Sequence, residues 1–201
     1  MLLAAFFISG VVLGQLSGNK SIPGDYATIE AAVSALNTQG VGGGGVTFNV
    51  AVGHTETVTA PILLTATGTA TDPIVFQKSG VGANPLITRS DTGTLVTTTL
   101  GAQGDAVIII EGSDYVTFDG ISVTATAPGI EYGYYLRKAS VTDACKSPTI
   151  KNAVITMNKG TRGTIAGIYS SNNDATSTVS SATGITVTST GGRVENLVIT
   201  G

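Results

Sequence analysis

The chain contains one histidine, one cysteine and no tryptophan, and charged residues make up only 11% of its 201 residues. With His54 as the single histidine, a multi-histidine metal site is excluded, and we expect this side chain to pack beside the first strands. Cys145 has no partner for an internal disulfide, and we expect its thiol to be buried. The net charge is −3 without any block of like charge, so neither a nucleic acid nor an anionic membrane surface is indicated as a partner.

A long apolar run occurs once, from Met1 to Gly14. It is too short to span a bilayer and ends in small residues, as the hydrophobic region of a secretory signal peptide does. We therefore predict a signal peptide over residues 1–15, no membrane span in the mature chain, and a secreted or cell-surface location. The positive residues that usually precede such a run are missing, so we expect the true start to lie upstream. A buried N-terminal strand is the alternative.

A short phrase occurs three times: an apolar residue, a polar residue, Gly or Asn, and then an apolar-rich segment. The copies begin at Phe118, Ile150 and Val194, roughly 30–45 residues apart, a period that marks stacked units unable to bury their apolar faces alone. A second series runs in phase with the first, in Gly133-Tyr134-Tyr135-Leu136 and Gly167-Ile168-Tyr169-Ser170. The sequence therefore predicts a solenoid.

The segments between turns are short and rich in Val, Ile, Thr and Tyr, which favours strands, and helical periodicity is nearly absent after residue 40. We predict an all-β fold, a parallel β-helix over residues 46–201, in which strands of successive coils pair. Gly120, Asn152 and Asn196 would then lie at one corner of successive coils, where a positive φ is often required. A β-sandwich of antiparallel strands is the alternative, although it does not explain the in-phase repeats.

One helix is predicted, over residues 25–37, with Asp25 as its cap. Four apolar residues fall on one face of this amphipathic helix: Ile29, Ala32, Val33 and Leu36. Gly40 and the run 42–45 follow as a stop and a flexible turn. Because a solenoid exposes an apolar end, we expect residues 16–45 to form an N-terminal cap.

The stretch from Gly24 to Val33, followed by Val46-Thr47-Phe48-Asn49-Val50, resembles the opening of right-handed β-helix proteins of the pectate-lyase-like superfamily. It is similar to the pectin methylesterase start and to large secreted bacterial surface proteins. The stretch from Ile110 to Ile121 looks like a typical coil of the same group. The resemblance covers about residues 20–201 and implies a right-handed parallel β-helix. It does not choose between lyases, hydrolases, esterases and adhesive or structural proteins, because one fold supports many functions.

The catalytic motifs of the enzymes that the chain resembles are missing. No Gln-Asp-Thr, Asp-Phe, Asn-Thr-Asp, Asp-Asp or Gly-His-Gly occurs, and Asn172-Asn173-Asp174, the nearest match, lies in a polar insert. Asp119, Lys151 and Glu195 hold equivalent positions in the three phrase copies, so a lysine stands between two acids. This order favours an ion-pair ladder over a calcium site, which needs several oxygens together. We predict no metal, no cofactor and no catalytic residue within the chain.

A binding surface is indicated by two tyrosines. Tyr135 aligns with Tyr169, and Tyr134 aligns with Ile168, so strand alternation places the second pair inside and leaves Tyr135 and Tyr169 stacked on the outside. An outward tyrosine ladder can pack against sugar rings, although it can also serve stability alone. The segment Thr186-Val187-Thr188 has a Thr-x-Thr pattern that resembles those of flat ice-binding faces. Thr-x-Thr does not recur at the coil period, which argues against such a face.

We therefore expect a secreted or cell-surface β-helix segment with a structural, adhesive or glycan-contacting role, and a polysaccharide or cell-surface glycan as its partner. The last phrase copy ends at Gly201 without a capping element, so we expect further coils of the same polypeptide. The alternative is the N-terminal part of a lyase, hydrolase or esterase acting on uronic-acid polymers, with its active site beyond residue 201.

Overall fold

The fold is all-β apart from one short helix. A computed structural model describes residues 14–93, 105–140, 142–158, 160, 165–171, 175, 193–195 and 198–200. In chain order its elements are β1 (Leu16–Ile22), α1 (Ile29–Gln39), β2 (Val41–Ala51), β3 (Thr55–Val58), β4 (Ile62–Leu64), β5 (Ile74–Ser79), β6 (Leu86–Arg89), β7 (Ala106–Glu111), β8 (Val116–Asp119), β9 (Ser122–Ala125), β10 (Tyr132–Arg137), β11 (Thr149–Lys151), β12 (Val154–Thr156), β13 (Ala166–Ser170), β14 (Arg193–Glu195) and β15 (Val198–Thr200).

The strands form three sheets in which each strand pairs with its counterpart from the neighbouring repeat. Sheet A has the order β1-β2-β5-β8-β11-β14, sheet B the order β3-β6-β9-β12-β15, and sheet C the order β4-β7-β10-β13. All twelve pairings between the described strands are parallel. This arrangement is compatible with a parallel β-helix and excludes the antiparallel sandwich.

Inward side chains of equivalent strands stack on one another. The rings of Phe48 and Phe76 lie 4.5 Å apart with planes 11° apart, and those of Phe76 and Phe118 lie 5.1 Å apart at 7°. All three rings are fully buried in one continuous apolar core. The stack follows from the parallel register, which sets Phe48 beside Phe76 and Phe76 beside Phe118.

The corner between sheets A and B has the backbone that the sequence predicts. Gly120 has φ 72° and Asn152 has φ 55°, both in the left-handed region. At this corner the amide of Gly120 donates a 2.8 Å hydrogen bond to the carbonyl of Lys151. Gly and Asn tolerate this conformation better than other residues. The third predicted corner residue, Asn196, lies outside the described residues.

The N-terminal helix differs from its predicted bounds of 25–37. It begins at Ile29, and Thr28 is the cap, with its hydroxyl accepting a 3.0 Å bond from the amide of Ala31. Asp25 does not cap it, because its carboxylate accepts instead from the amide and hydroxyl of Ser21, both at 2.8 Å. The four predicted core residues of the helix are buried, and Gly40 ends the helix at φ 73°.

The glycine run 42–45 is not a turn after the helix, since it lies within β2. Strand β1, in the region predicted as a cap, pairs with β2 in parallel, and the register shifts between Leu16 and Gly18. Leu16 lies opposite Val41 and Gly18 opposite Val46, so the glycines form the extra length of a bulge. Gly44 and Gly45 have φ of 85° and 76°, which glycine adopts without strain.

The phenylalanine stack gives a stability prediction. Replacing the middle ring, Phe76→Ala, should lower the free energy of unfolding by about 3–5 kcal/mol, because the cavity is walled by two other rings and cannot collapse. Urea unfolding followed by circular dichroism measures the change. Val81→Ala is the control: Val81 is fully exposed, and its replacement should change stability by less than about 0.5 kcal/mol. Equal effects of the two substitutions would contradict the stacked core.

Candidate functional site

The outer face of sheet C carries a second apolar cluster, separate from the main core. We call it the outer aromatic cluster. It consists of Ala106, Ile109, Tyr132 and Tyr135, with Ala166 and Tyr169 packed against them. These residues come from three neighbouring strands, β7, β10 and β13, whose register places Ile109, Tyr135 and Tyr169 side by side.

The cluster exists because strand alternation is broken once in β10. Gly133 and Tyr134 both face inward: Tyr134 belongs to the main core, and a Cβ on Gly133 would lie 2.6 Å from a methyl carbon of Ile155 in that core. With two consecutive inward residues, both flanking tyrosines, Tyr132 and Tyr135, point outward. Only glycine fits here, since the same Cβ would lie 2.5 Å from the carbonyl oxygen of Gly167.

The three outward tyrosines pack closely. The ring centroids of Tyr132 and Tyr169 lie 4.6 Å apart with planes 13° apart, which is a stacked pair. Tyr135 is tilted against both, at 5.1 Å from Tyr132 and 5.5 Å from Tyr169. Its hydroxyl lies 3.2 Å from the Ser171 hydroxyl, and the Arg137 guanidinium lies 5.8 Å from its ring centre. Such contacts add to the stabilisation that ring burial provides.

The predicted sides of the strand are confirmed, but the predicted exposure of Tyr135 is wrong. Tyr134 is inside, where its hydroxyl donates a 2.8 Å bond to the carbonyl of Ile121 and burial raises its pKa. Tyr135 is on the outside, yet its exposure is 0% because the neighbouring rings cover it. Tyr169 is half-buried, with its pKa raised by burial, and keeps part of its surface accessible.

Ion pairs lie at both ends of this face. At the C-terminal ends of the strands, Arg137 Nε lies 2.5 Å from Glu111 Oε2. At the N-terminal ends, the buried Arg89 binds Asp91 through Nε (2.6 Å) and a terminal nitrogen (2.8 Å), and it lies 3.3 Å from Asp105. Its other nitrogen donates to the carbonyl of Ala106 at 2.8 Å. The hydrogen bond from Arg89 holds the pKa of Asp91 below its usual value.

The ladder predicted on sheet A is present where its side chains are described. Asp119 lies opposite Lys151 in the register, with Lys151 Nζ 3.5 Å from Asp119 Oδ2. Asn152 donates a 2.7 Å bond to the other carboxylate oxygen. Glu195 takes the next register position beside Lys151. Within the described ranges, no group of three or more His, Cys, Asp or Glu side chains could hold a metal ion.

A buried carboxylate that no local sequence pattern predicts binds the N-terminus of α1. Glu56 on β3 accepts hydrogen bonds from the amides of Ile29 (2.6 Å) and Glu30 (3.2 Å), and His54 Nε2 lies 3.3 Å from the same carboxylate. A negative charge is favourable at this end of a helix. His54 therefore packs beside the first strands as predicted. Only a tertiary contact links Glu56 to the helix, so no local pattern identifies it.

The other predicted single residue also lies where expected. Cys145 is buried, and burial raises the pKa of its thiol to about 11. A thiol with this pKa stays protonated at neutral pH, which makes it a packing residue and a weak nucleophile. The segment Asn172-Asn173-Asp174 of the polar insert lies outside the described residues. So do residues 1–13 of the apolar N-terminal run.

No protein-family model matches the chain, and neither a curated protein nor a solved structure matches it. None of the described helices is long and apolar enough to cross a membrane. Any assignment of function therefore depends on the geometry of the chain itself.

The Arg89–Asp91 pair predicts a pH-dependent contribution to stability. Because the folded-state pKa of Asp91 is depressed, its stabilisation is complete above the unfolded pKa of about 3.9 and is lost as the pH falls through the folded value. Asp91→Asn should therefore cost about 1–3 kcal/mol at pH 7, since it weakens hydrogen bonds to a buried charge. The difference from the unsubstituted protein should shrink as the pH falls below 4.

Urea unfolding at a series of pH values between 7 and 2.5 measures this difference. Asp143→Asn is the matched control, because Asp143 is exposed and makes no ion pair within the described part of the chain. The assignment is refuted if Asp91→Asn shows a constant difference at all pH values, or none.

Proposed function

We propose that the chain is a segment of right-handed parallel β-helix of the pectate-lyase-like type, with α1 as its N-terminal cap. The three parallel sheets and the left-handed corner at Gly120 and Asn152 support the β-helix. The cap is supported by the contacts of α1, whose four apolar residues enter the main core. At its C-terminal end, the Asn37 side chain donates to the carbonyl of Leu63 at 2.7 Å and accepts from the amides of Thr65 and Ala66.

We propose further that this segment belongs to a secreted or cell-surface protein and serves as an adhesive scaffold that contacts polysaccharide. The observation that carries the proposal is the outer aromatic cluster. Three tyrosine rings lie together on one outer sheet face, and Tyr169 keeps accessible surface beside two buried rings. A tyrosine combines an apolar face with a polar tip, which suits the faces and hydroxyls of sugar rings.

The ring of Tyr169 is held in a fixed orientation on this face, which favours binding of a ligand to it. Its ring is held by stacking on Tyr132 and by the tilted ring of Tyr135, so little side-chain entropy remains to be lost on binding. Glu111 and Arg137, paired with each other on the same side of the sheet, provide polar atoms near the aromatic surface. The sequence predicts glycan contacts for both Tyr135 and Tyr169. Because Tyr135 is fully buried, we assign the contact to Tyr169.

Glycan binding tests this proposal. The full chain is screened for affinity against polygalacturonate, its methyl-esterified form and neutral plant and algal glycans. Tyr169→Ala should abolish or strongly weaken binding to whichever glycan is retained, because the accessible ring is lost, and Tyr169→Phe should keep most of it. Tyr26→Ala is the matched control, since this half-buried ring packs edge-on against Phe48 and lies outside the cluster.

Three outcomes overturn the proposal: no glycan binds the folded protein, binding survives Tyr169→Ala, or Tyr26→Ala weakens it equally. The same samples are analysed for released oligosaccharides or methanol by mass spectrometry, with and without calcium. Product release by the chain would replace the adhesive role with a polysaccharide-degrading one.

A further inference from the structure

The outer face of sheet B carries a row of threonines in register. Thr57 lies opposite Thr88, Thr88 opposite Thr124, and Thr124 opposite Thr156. Thr200 takes the next position beside Thr156. Four neighbouring strands, β3, β6, β9 and β12, therefore contribute one threonine each to a straight row, with neighbours about 4.7–4.9 Å apart.

A second row of hydroxyl groups runs beside the first, two residues further along each strand. The amide of Ser90 donates to the carbonyl of Val58 at 3.0 Å, and that of Thr126 donates to the carbonyl of Arg89 at 3.2 Å. These bonds extend the parallel pairing by one residue, so Thr59, Ser90 and Thr126 lie side by side. We call the two rows, Thr57, Thr88 and Thr124 with Thr59, Ser90 and Thr126, the hydroxyl face.

The hydroxyl face is accessible. Thr57 and the three residues of the second row are exposed, and Thr88 and Thr124 are half-buried. The side chains of Thr57, Thr88 and Thr124 make no hydrogen bond to protein groups in the described ranges, so their hydroxyls remain available to water. The Thr126 hydroxyl donates to the carbonyl of Arg89 at 3.1 Å, which fixes its direction.

The face differs from the other two sheets in its chemistry. In β3, β6, β9 and β12, the outward residues are all uncharged and none is aromatic: Thr55, Thr57, Leu86, Thr88, Ser122, Thr124, Val154 and Thr156. The outer face of sheet A carries Asp119 and Lys151, and that of sheet C carries tyrosines with Glu111 and Arg137. A charged ligand finds no counter-charge at these outward positions, and a sugar finds no aromatic platform there.

The rows are also held rigidly. Beneath the threonine row, Ile87, Val123 and Ile155 are fully buried in the main core, and they pair in the same register. β-branched threonine has few χ1 rotamers, so its hydroxyl and methyl group keep fixed positions over each strand. The face is therefore a regular array, with about 4.7–4.9 Å between strands and about 6.6 Å between rows.

We propose that the hydroxyl face binds ice. The spacing between strands is close to the repeat of water oxygens along the a axis of hexagonal ice, and the alternating hydroxyl and methyl groups offer hydrogen bonds together with an apolar surface over which water orders. The ligand is a water lattice, which is uncharged and periodic like the face. This site is on a different sheet from the outer aromatic cluster and does not depend on glycan binding.

The strand register aligns threonine segments whose recurrence the sequence alone did not indicate. Thr-x-Thr segments occur in two of three neighbouring strands, as Thr57-Val58-Thr59 and Thr124-Ala125-Thr126, and Thr88-Arg89-Ser90 between them has serine at the last position; the intervals are unequal. Turns of different length separate the strands, so the series has no single fixed period. The segment Thr186-Val187-Thr188 lies outside the described residues.

Thermal hysteresis and inhibition of ice recrystallisation by the full chain test the proposal. The protein should shape growing ice crystals and separate the freezing point from the melting point. Thr124→Tyr places a large ring at the centre of the face and should abolish most of the hysteresis. Thr124→Val, which keeps the shape and removes the hydroxyl, should fold normally and cause a smaller loss.

Thr117→Tyr is the matched control, because Thr117 is a half-buried outward threonine on sheet A. It should leave hysteresis unchanged, and circular dichroism melting checks that each variant folds. The proposal is overturned if the unsubstituted protein has no more effect on ice than serum albumin at equal concentration. It is also overturned if Thr117→Tyr and Thr124→Tyr lose activity equally, or if Thr124→Tyr and Thr124→Val both retain it.

Discussion

The parallel register between equivalent strands is the constraint on which the rest of this structure depends. Once Phe48, Phe76 and Phe118 stack inside sheet A, each residue beside them is also set against its counterpart in the neighbouring strand. The same rule produces the pairing of Asp119 with Lys151 outside sheet A and the threonine row outside sheet B. An outer surface of this kind is therefore repetitive by construction, and its chemistry is decided by which residue type recurs at each position.

Within the described strands, two charged residues occupy inward positions at which the neighbouring strands carry apolar residues. Glu56 lies in the inward row of Ile87 and Val123, and Arg89 lies in the inward row of Val58 and Ala125. Each is compensated locally, Glu56 by the amides at the start of α1 and Arg89 by Asp91, Asp105 and a carbonyl. A buried charge without such partners would be strongly destabilising. Glu56 thus joins β3 to α1, and Arg89 joins β6 to Asp91 and Asp105, which lie outside the strands.

Much of the architecture could be predicted from the sequence, because repetition is visible without knowing any contact. The phrase beginning at Phe118 and Ile150 predicted both the parallel pairing and the corner, and alternation predicted the opposite sides of Tyr134 and Tyr135. Exposure could not be predicted, since Tyr135 is covered by rings from its own and the neighbouring strand. The helix start was missed for a similar reason: Ser21 holds Asp25, and a residue far along the chain, Glu56, binds the first turn.

The corner at Gly120 and Asn152 has a consequence for how such a protein can change its length. The strands on either side are separated by two residues there, in β8–β9 and again in β11–β12, and the backbone turns in the same left-handed conformation. The repeats that contain these two corners therefore leave them in the same direction, whereas the corresponding connections β2–β3 and β5–β6 have three and six residues. Duplication or loss of a repeat with this two-residue corner would preserve the parallel pairing there, so a molecule of this kind can become longer or shorter without a change in the path of its backbone at the corner.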